Sequence, residues 1–143
     1  MSAFQLPRAP TAFSIGAGKK QKSARVHDDA HLRWLRTLPC IVSGKRPVEA
    51  AHIRFGSLAY GKFPTGGGEK PSDKWAVPLH PDLHREQHSG NEELFWAKRG
   101  LDPLAIASAL FMNSGDDAAA ETIINESVAR AATFLGSTIE AQP

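Results

Sequence analysis

Three histidines recur at four-residue intervals after a short β-prone segment: His80, His84 and His88. Residues four apart lie on one face of a helix, so the side chains of His84 and His88 can reach a single cation. Pro81 suits the first turn of such a helix and Gly90 would end it, which predicts a helix over residues 81–88. Imidazole binds zinc, nickel, copper and iron. The spacing indicates a metal site, although a histidine-rich surface helix would show the same pattern.

Another histidine lies at the end of a β-prone segment further upstream. Residues 48–53 favour a strand with His52 near its end, and residues 75–79 favour a strand that a proline limits to an edge. Residues 40–42 are also β-prone and precede a turn over residues 43–47, so they are predicted to pair with 48–53. The order strand, loop, strand, helix, with histidines at both ends, is more specific than a helical pair. We expect an α+β fold.

The remaining sequence favours helices. Residues 28–38 form the first, capped by Asp28 or Asp29. Three more are expected towards the C-terminus: Asn91 to Gly100, Asp102 to about Met112, and Asp116 or Asp117 to about Leu135. The last two carry no clustered chemical groups and are interpreted as packing surface. The predicted division is a disordered arm over 1–27, a core over 28–100 and a C-terminal helical extension over 101–143 that packs on the core.

The N-terminal arm is basic although the net charge is only +2. Its five basic side chains have no acidic neighbour within residues 1–27: Arg8, Lys19, Lys20, Lys22 and Arg25. Such an arm suits a polyanionic partner, since basic side chains displace counterions from phosphates. A solvated tail without a role fits equally well. The acidic C-terminal helices leave open a third interpretation, a metal-stabilised protein-interaction module.

Cellular location is constrained by what the sequence lacks. No apolar run approaches the roughly 20 residues that span a bilayer, and Pro7, Arg8 and Pro10 interrupt any secretory signal. Cys40 is the single cysteine, which rules out an internal disulfide. A reducing cytoplasm is therefore the expected compartment, and no membrane partner is expected.

Five short pieces follow one another between Leu38 and Trp96: Pro39-Cys40, Glu49-Ala50-Ala51-His52-Ile53, Lys70-Pro71-Ser72-Asp73, Val77-Pro78-Leu79-His80, and His84-Arg85-Glu86-Gln87-His88-Ser89-Gly90. In order and spacing this segment resembles the HNH (ββα-metal) endonuclease superfamily, in particular the phage recombination-enhancement nucleases and their prophage relatives. The resemblance implies a ββα-metal centre wrapped by helices. It also implies metal-dependent hydrolysis of DNA phosphodiester bonds.

The roles of the site residues follow from that resemblance. His52 matches the general base that activates water, and a neutral imidazole suits this task near neutral pH. His84 matches the metal-binding histidine, and His88, one turn further, is a second expected ligand. Asp73 is expected either to orient His52 or to complete the metal shell, and a simple turn cap is the alternative. The implied cofactor is a divalent ion, zinc or one of magnesium, manganese and nickel.

The sequence departs from the family pattern at two places. Many HNH proteins hold a structural zinc with two Cys-x-x-Cys pairs; here only Cys40 and His80 remain, as members of a mixed site with His84 or His88, or as residues of an apolar core. Ala51 replaces a usual metal ligand, which leaves open that His52 itself binds the metal. Glu49 is not expected to substitute, because it lies three residues from His52 on a strand and so on the opposite face. A DNA-binding module that has lost catalysis is the alternative function.

DNA is the expected partner. The predicted phosphate contacts are four basic side chains of the core together with those of the arm: Arg54, Lys62, Lys70 and Arg85. The resemblance also implies a recombinase filament as partner, because the recombination-enhancement relatives act on recombinase-coated DNA. His27 and His31 are assigned no role, and the oligomeric state is left open.

Overall fold

The structure is a computed structural model that describes residues 25–66 and 70–140. Within these ranges the chain is an α+β protein, as predicted. Its five α helices and two strands, with two short 3-10 turns, follow in this order: α1 (Asp29–Leu35), β1 (Glu49–His52), a 3-10 turn (Leu58–Tyr60), a second 3-10 turn (Asp73–Trp75), β2 (Ala76–Leu79), α2 (Pro81–His88), α3 (Glu92–Ala97), α4 (Pro103–Met112) and α5 (Asp117–Glu140).

The two strands pair with each other and lead directly into α2. They are antiparallel, with Glu49 opposite Leu79 and His52 opposite Ala76. All four residues of β2 are buried, so this strand lies in the interior. The end of β1, at His52, therefore lies beside the start of β2, at Ala76.

The predicted pairing of residues 40–42 with β1 is wrong. These residues form a turn in which the Gly44 amide donates to the Cys40 carbonyl at 2.9 Å. Gly44 has a φ of 71°, a conformation that glycine adopts without steric cost. The Ile41 amide still reaches the Pro78 carbonyl at 3.1 Å. The apolar character of this segment therefore reflects burial of Ile41 in the core rather than strand pairing.

The helices begin where the capping residues predict. Asp28, Asn91 and Asp102 each accept backbone N–H groups of the following helix through their side chains. The last helix extends to Glu140, beyond the predicted end near Leu135.

One hydrophobic core joins the strands to the C-terminal helices. Its largest fully buried apolar side chains come from every part of the described chain: Trp96, Leu35, Ile41, Ile53, Leu79, Leu104, Leu110 and Ile124. Ser127 on α5 donates to the Ile41 carbonyl at 2.6 Å inside this core. Trp75 and Trp96 are core residues, and Trp34 reaches α5 by a 2.8 Å hydrogen bond to Asp117.

Residues 25–27 do not belong to a disordered arm. Val26 pairs with the chain before β2, since the Asp73 amide donates to the Val26 carbonyl at 2.9 Å and the Val26 amide to Ser72 Oγ at 3.1 Å. Arg25 donates to the Pro71 carbonyl at 3.0 Å. The predicted arm boundary is thus too late by at least these residues. The rest of the predicted arm, with Lys19, Lys20 and Lys22, lies outside the described residues.

Among the described residues, no helix has the length and apolar character required to cross a bilayer.

Candidate functional site

A cavity of about 440 Å³ lies beside the end of β1. It is lined by four side chains that the sequence singled out: His52, Asp73, His84 and His88. They come from the end of β1, the 3-10 turn before β2, and one face of α2. Three predicted basic residues also line it: Arg25, Arg54 and Lys70. The fold thus brings together residues far apart in the sequence.

His52 is held by Asp73. Its Nε2 lies 2.9 Å from Oδ1 of Asp73, whose side chain is fully buried. The other carboxylate oxygen, Oδ2, accepts the Asp28 amide at 2.8 Å. An ionised carboxylate only accepts hydrogen bonds, so Nε2 of His52 carries the proton and Nδ1 is the acceptor of the neutral ring. The predicted orienting role of Asp73 matches this contact, and the residue lies within its 3-10 turn rather than capping it.

The surroundings keep Asp73 ionised. Burial alone would raise the pKa of Asp73, but hydrogen bonds from the Asp28 amide and His52 oppose it. The positive charge of Arg25, whose guanidinium lies 3.4 Å away, acts in the same direction. The net result is a pKa below the usual value for aspartate.

His84 and His88 converge on α2. Their Nε2 atoms lie 2.9 Å apart and their ring centroids 4.7 Å apart. Burial lowers the pKa of His88, and the neighbouring His84 lowers it further. His88 is therefore neutral near pH 7, which is the form that binds a metal ion.

Glu49 contacts this pair, which the sequence analysis missed. Its Oε1 lies 3.4 Å from Nδ1 of His84. Strand alternation places the side chains of Glu49 and His52 on opposite faces of β1. It does not predict that α2 packs close enough to β1 for Glu49 to contact His84. A carboxylate on the far nitrogen of a histidine fixes the ring and raises the basicity of the nitrogen that faces a ligand.

A second group of potential ligands adjoins the first. Ligand atoms of His27, Asp29 and Asp73 all lie within 4.8 Å of one another. A cation there would compete with existing contacts, because both oxygens of Asp73 already accept hydrogen bonds and Arg25 lies 3.4 Å from one of them. His27 was assigned no role from the sequence, because Asp73 comes close to it only in the folded protein.

Cys40 and His80, the two predicted members of a mixed metal site, each contact the backbone of a neighbouring residue. Cys40 is fully buried, and its Sγ accepts the Val42 amide at 3.4 Å. His80 is the N-cap of α2, where its Nδ1 accepts the Asp82 amide at 3.3 Å. Neither residue lines the cavity, and among the described residues neither belongs to a group of three or more potential metal ligands.

Only some of the predicted phosphate contacts lie at the cavity. Arg54 and Lys70 line the cavity, whereas Arg85 lies elsewhere on α2 and forms an ion pair with Asp82. Lys62 is 7% exposed, and its ammonium donates to three backbone carbonyls. Burial lowers the pKa of Lys62. The donors of Lys62 are thus engaged inside the protein rather than directed to solvent, and its contact with DNA stays a prediction.

Two further residues fix the end of β1, and no sequence signal distinguished them. Gln87 is 1% exposed, and its Nε2 donates to the His52 carbonyl at 3.4 Å and to Glu92 at 3.3 Å. Glu92 in turn accepts the Arg54 and Phe55 amides at 2.8 and 3.3 Å. These contacts hold the chain beyond His52 against α2 and α3.

The fold and the cavity define an α+β protein with a buried carboxylate and converging histidines in one cleft. Residues 7–114, which make up most of the chain, match the family described as "Protein of unknown function (DUF968)", and the chain belongs to that family. The matched range includes every residue that lines the cavity. No curated protein and no solved structure matches the chain.

Proposed function

We propose that this protein is a metal-dependent DNA endonuclease of the HNH type. The observation that carries the proposal is the shared cavity, which is lined both by His52, bound to its carboxylate, and by the His84–His88 pair. The basic residues on its walls suit a phosphate, and the motif order between Leu38 and Trp96 resembles HNH nucleases. A phage or prophage origin and a link to recombination are part of the proposal.

The paired imidazoles fit a divalent ion. Two nitrogens bound tetrahedrally to one zinc ion at about 2.0–2.1 Å are roughly 3.3 Å apart. The Nε2 atoms of His84 and His88 are 2.9 Å apart, so a small rotation of either ring suffices. A bound ion would stabilise negative charge on the leaving oxygen of the phosphodiester.

His52 supplies the base. Its Nδ1 accepts a proton from the attacking water, while Nε2–H remains bonded to Asp73. The ionised carboxylate stabilises the imidazolium that forms, and it keeps the ring in the tautomer with a free Nδ1. Arg54 and Lys70 are assigned to hold the phosphate during attack, because both residues line the same cavity.

The test is a cleavage assay with Mg²⁺, Mn²⁺, Ni²⁺ or Zn²⁺ on supercoiled, linear duplex, single-stranded and recombinase-coated DNA. We expect the parent to cut at least one form. His52→Ala should bind DNA equally well but cut about 10²–10⁴-fold more slowly, the usual contribution of a general base. His80→Asn is the control, since it removes an imidazole next to α2 and retains a capping side chain. An inert parent across all ions and substrates would refute the proposal.

A DNA-binding module without catalysis is the second candidate. It is favoured by Ala51, which is fully buried in the core and offers no ligand atom where many HNH relatives have one. Under this alternative, the parent binds DNA with a steep salt dependence and cuts none.

A further inference from the structure

The segment that follows His52 forms a closed loop on the edge of the cavity. We call residues 54–65 the rim loop. Its two ends meet where the Thr65 amide donates to the Arg54 carbonyl at 2.9 Å. Further out, Ser57 and Lys62 exchange two backbone hydrogen bonds of 2.9 and 3.0 Å. Inside the loop, the ammonium of Lys62 donates to three backbone carbonyls of the loop itself. The rim loop is therefore held in a defined shape by its own contacts.

This well-held loop directs two large apolar side chains into solvent. Leu58 is 96% exposed and Phe63 is 76% exposed. The loop is also fastened to the body of the protein, because the Tyr60 hydroxyl donates to Asp102 and the Tyr60 ring packs edge-on against Trp75. Single exposed apolar residues are ordinary on protein surfaces. Two on one fixed loop beside a cavity suggest a contact surface.

The position of Phe63 relative to the cavity is set by Lys62. The carbonyls of Arg54 and Phe63 both lie 3.3 Å from the same ammonium nitrogen. The backbone of Phe63 therefore lies near that of Arg54, a residue that lines the cavity. In a nucleic acid, a base lies one sugar away from its phosphate. A strand whose phosphate occupies the cavity therefore brings bases near the rim loop.

The charge of the rim loop favours bases over phosphates as its ligands. Its charged residues are Arg54, which lies on the cavity wall, and Lys62, whose ammonium is engaged internally. The outer part of the loop thus presents apolar surface without a free cation. Aromatic side chains stack on any base, and apolar side chains inserted at a base step separate it from its neighbour.

We propose that the rim loop binds unstacked DNA bases next to the phosphate in the cavity, with Phe63 as the stacking surface and Leu58 as an apolar wedge. This inference deepens the proposed function and rests on it in that DNA occupies the cavity. The substrate class it specifies is single-stranded or locally opened DNA.

The test measures binding of a fluorescent single-stranded oligonucleotide by anisotropy, without divalent ions so that cleavage does not intervene. Phe63→Ala should weaken binding roughly 5- to 150-fold, the effect of losing one base–aromatic stack. Phe63→Trp should retain affinity and Phe63→Leu should not, because stacking requires a ring. Leu58→Ala should also weaken binding. Met112→Ala is the matched control, since Met112 is 80% exposed on α4 and does not line the cavity.

A strand containing 2-aminopurine gives a second readout, because its fluorescence depends on the rings that stack on it. At saturating protein, we expect the parent and Phe63→Trp to give the same fluorescence and Phe63→Ala to give a different one. If the parent binds DNA and both alanine variants bind as tightly as Met112→Ala, the inference is wrong while the proposed function stands. If binding depends on Phe63 but the parent cuts no DNA, the inference stands and the nuclease proposal fails. A parent that binds no DNA overturns both.

Discussion

Asp73 connects more parts of the site than any other single residue described above. It accepts the Asp28 amide and His52, and it lies 3.4 Å from the Arg25 guanidinium. Its own amide donates to the Val26 carbonyl. One fully buried carboxylate therefore fixes the His52 ring and also attaches residues 25–28 to the core. Its ionisation is expected to affect both activity and stability.

Replacing Asp73 by asparagine tests this double role. The pKa of Asp73 is lowered from its ordinary value of 3.8, so the carboxylate stabilises the fold above that value. This stabilisation is lost as the pH falls through the lower folded-state pKa. The free energy of unfolding of Asp73→Asn, measured with denaturant from pH 7 to pH 2, should be lower at pH 7 and should fall less steeply below about pH 4. Equal pH profiles for variant and parent would show that Asp73 contributes no such stabilisation.

The same variant should also lose activity. An asparagine amide can donate to His52 and thereby favour the wrong tautomer, so cleavage should fall at least tenfold at the pH optimum of the parent. Folding at that pH is checked by circular dichroism. Unchanged cleavage by folded Asp73→Asn would remove Asp73 from the catalytic account.

Sequence reasoning found the residues whose spacing or motif carries a chemical meaning. His84 and His88 followed from helical periodicity, and His52 and Asp73 from motif order. For Cys40, His80 and Lys62, residue type alone did not reveal the contacts that the structure shows, and their roles as metal ligands or phosphate contacts stay predictions. Whether a lysine faces solvent or binds backbone carbonyls depends on how a loop closes, and no local pattern encodes that.

At the scale of elements, the site depends on the contact between β1 and α2. The strand supplies His52 at one end and Glu49 at the other, and α2 supplies the histidine pair. The Glu49 side chain is 53% exposed. We therefore expect it to orient the His84 ring rather than to add much to the stability of the fold. The helix was predictable from Pro81 and from periodicity, whereas the contact with Glu49 depends on the packing of α2 against the strand.

Metal affinity should depend on this contact. We expect His88→Ala to abolish most binding of Zn²⁺ in calorimetric titration, because one of two converging nitrogens is lost. Glu49→Gln should weaken binding by about 10- to 100-fold, the usual effect of removing a carboxylate behind a ligating histidine. His80→Asn serves as the control and should bind like the parent. Loss of binding only in His27→Ala would instead assign the ion to the group of His27, Asp29 and Asp73.

Elements with strong local signals were predicted well. Capping side chains located the starts of α1, α3 and α4, and proline and glycine marked the limits of α2. The pairing of the two strands was missed because the apolar run at residues 40–42 suits a buried turn as well as a strand. Short apolar segments do not distinguish these alternatives without knowledge of the tertiary structure.

At the scale of the whole molecule, charge is arranged around the cavity. Three basic residues line it: Arg25, Arg54 and Lys70. In contrast, the C-terminal region after residue 100 is acidic, with six acidic residues and one basic residue. Under the proposed function, these three basic residues attract the phosphate chain to the cavity. The division into a core and a packed extension remains a prediction, although α4 and α5 contribute to the same hydrophobic core as the strands.

This arrangement predicts a salt-dependent affinity for DNA. The logarithm of the binding constant should fall linearly with the logarithm of salt concentration, and Lys70→Ala should reduce the slope by about 1, the effect of one phosphate contact. Lys98→Ala, which removes an exposed lysine outside the cavity, should leave the slope unchanged. Equal slopes for all three proteins would place the DNA elsewhere on the surface.

The most direct measurement is the position of a bound ion in crystals grown with Zn²⁺, located by anomalous scattering at the zinc edge. The account predicts one ion at about 2.0–2.1 Å from Nε2 of both His84 and His88, with His52 across the same cavity and a coordination position open to water. An ion bound only by His27, Asp29 and Asp73, or a closed shell of four protein ligands at the paired histidines, would contradict it.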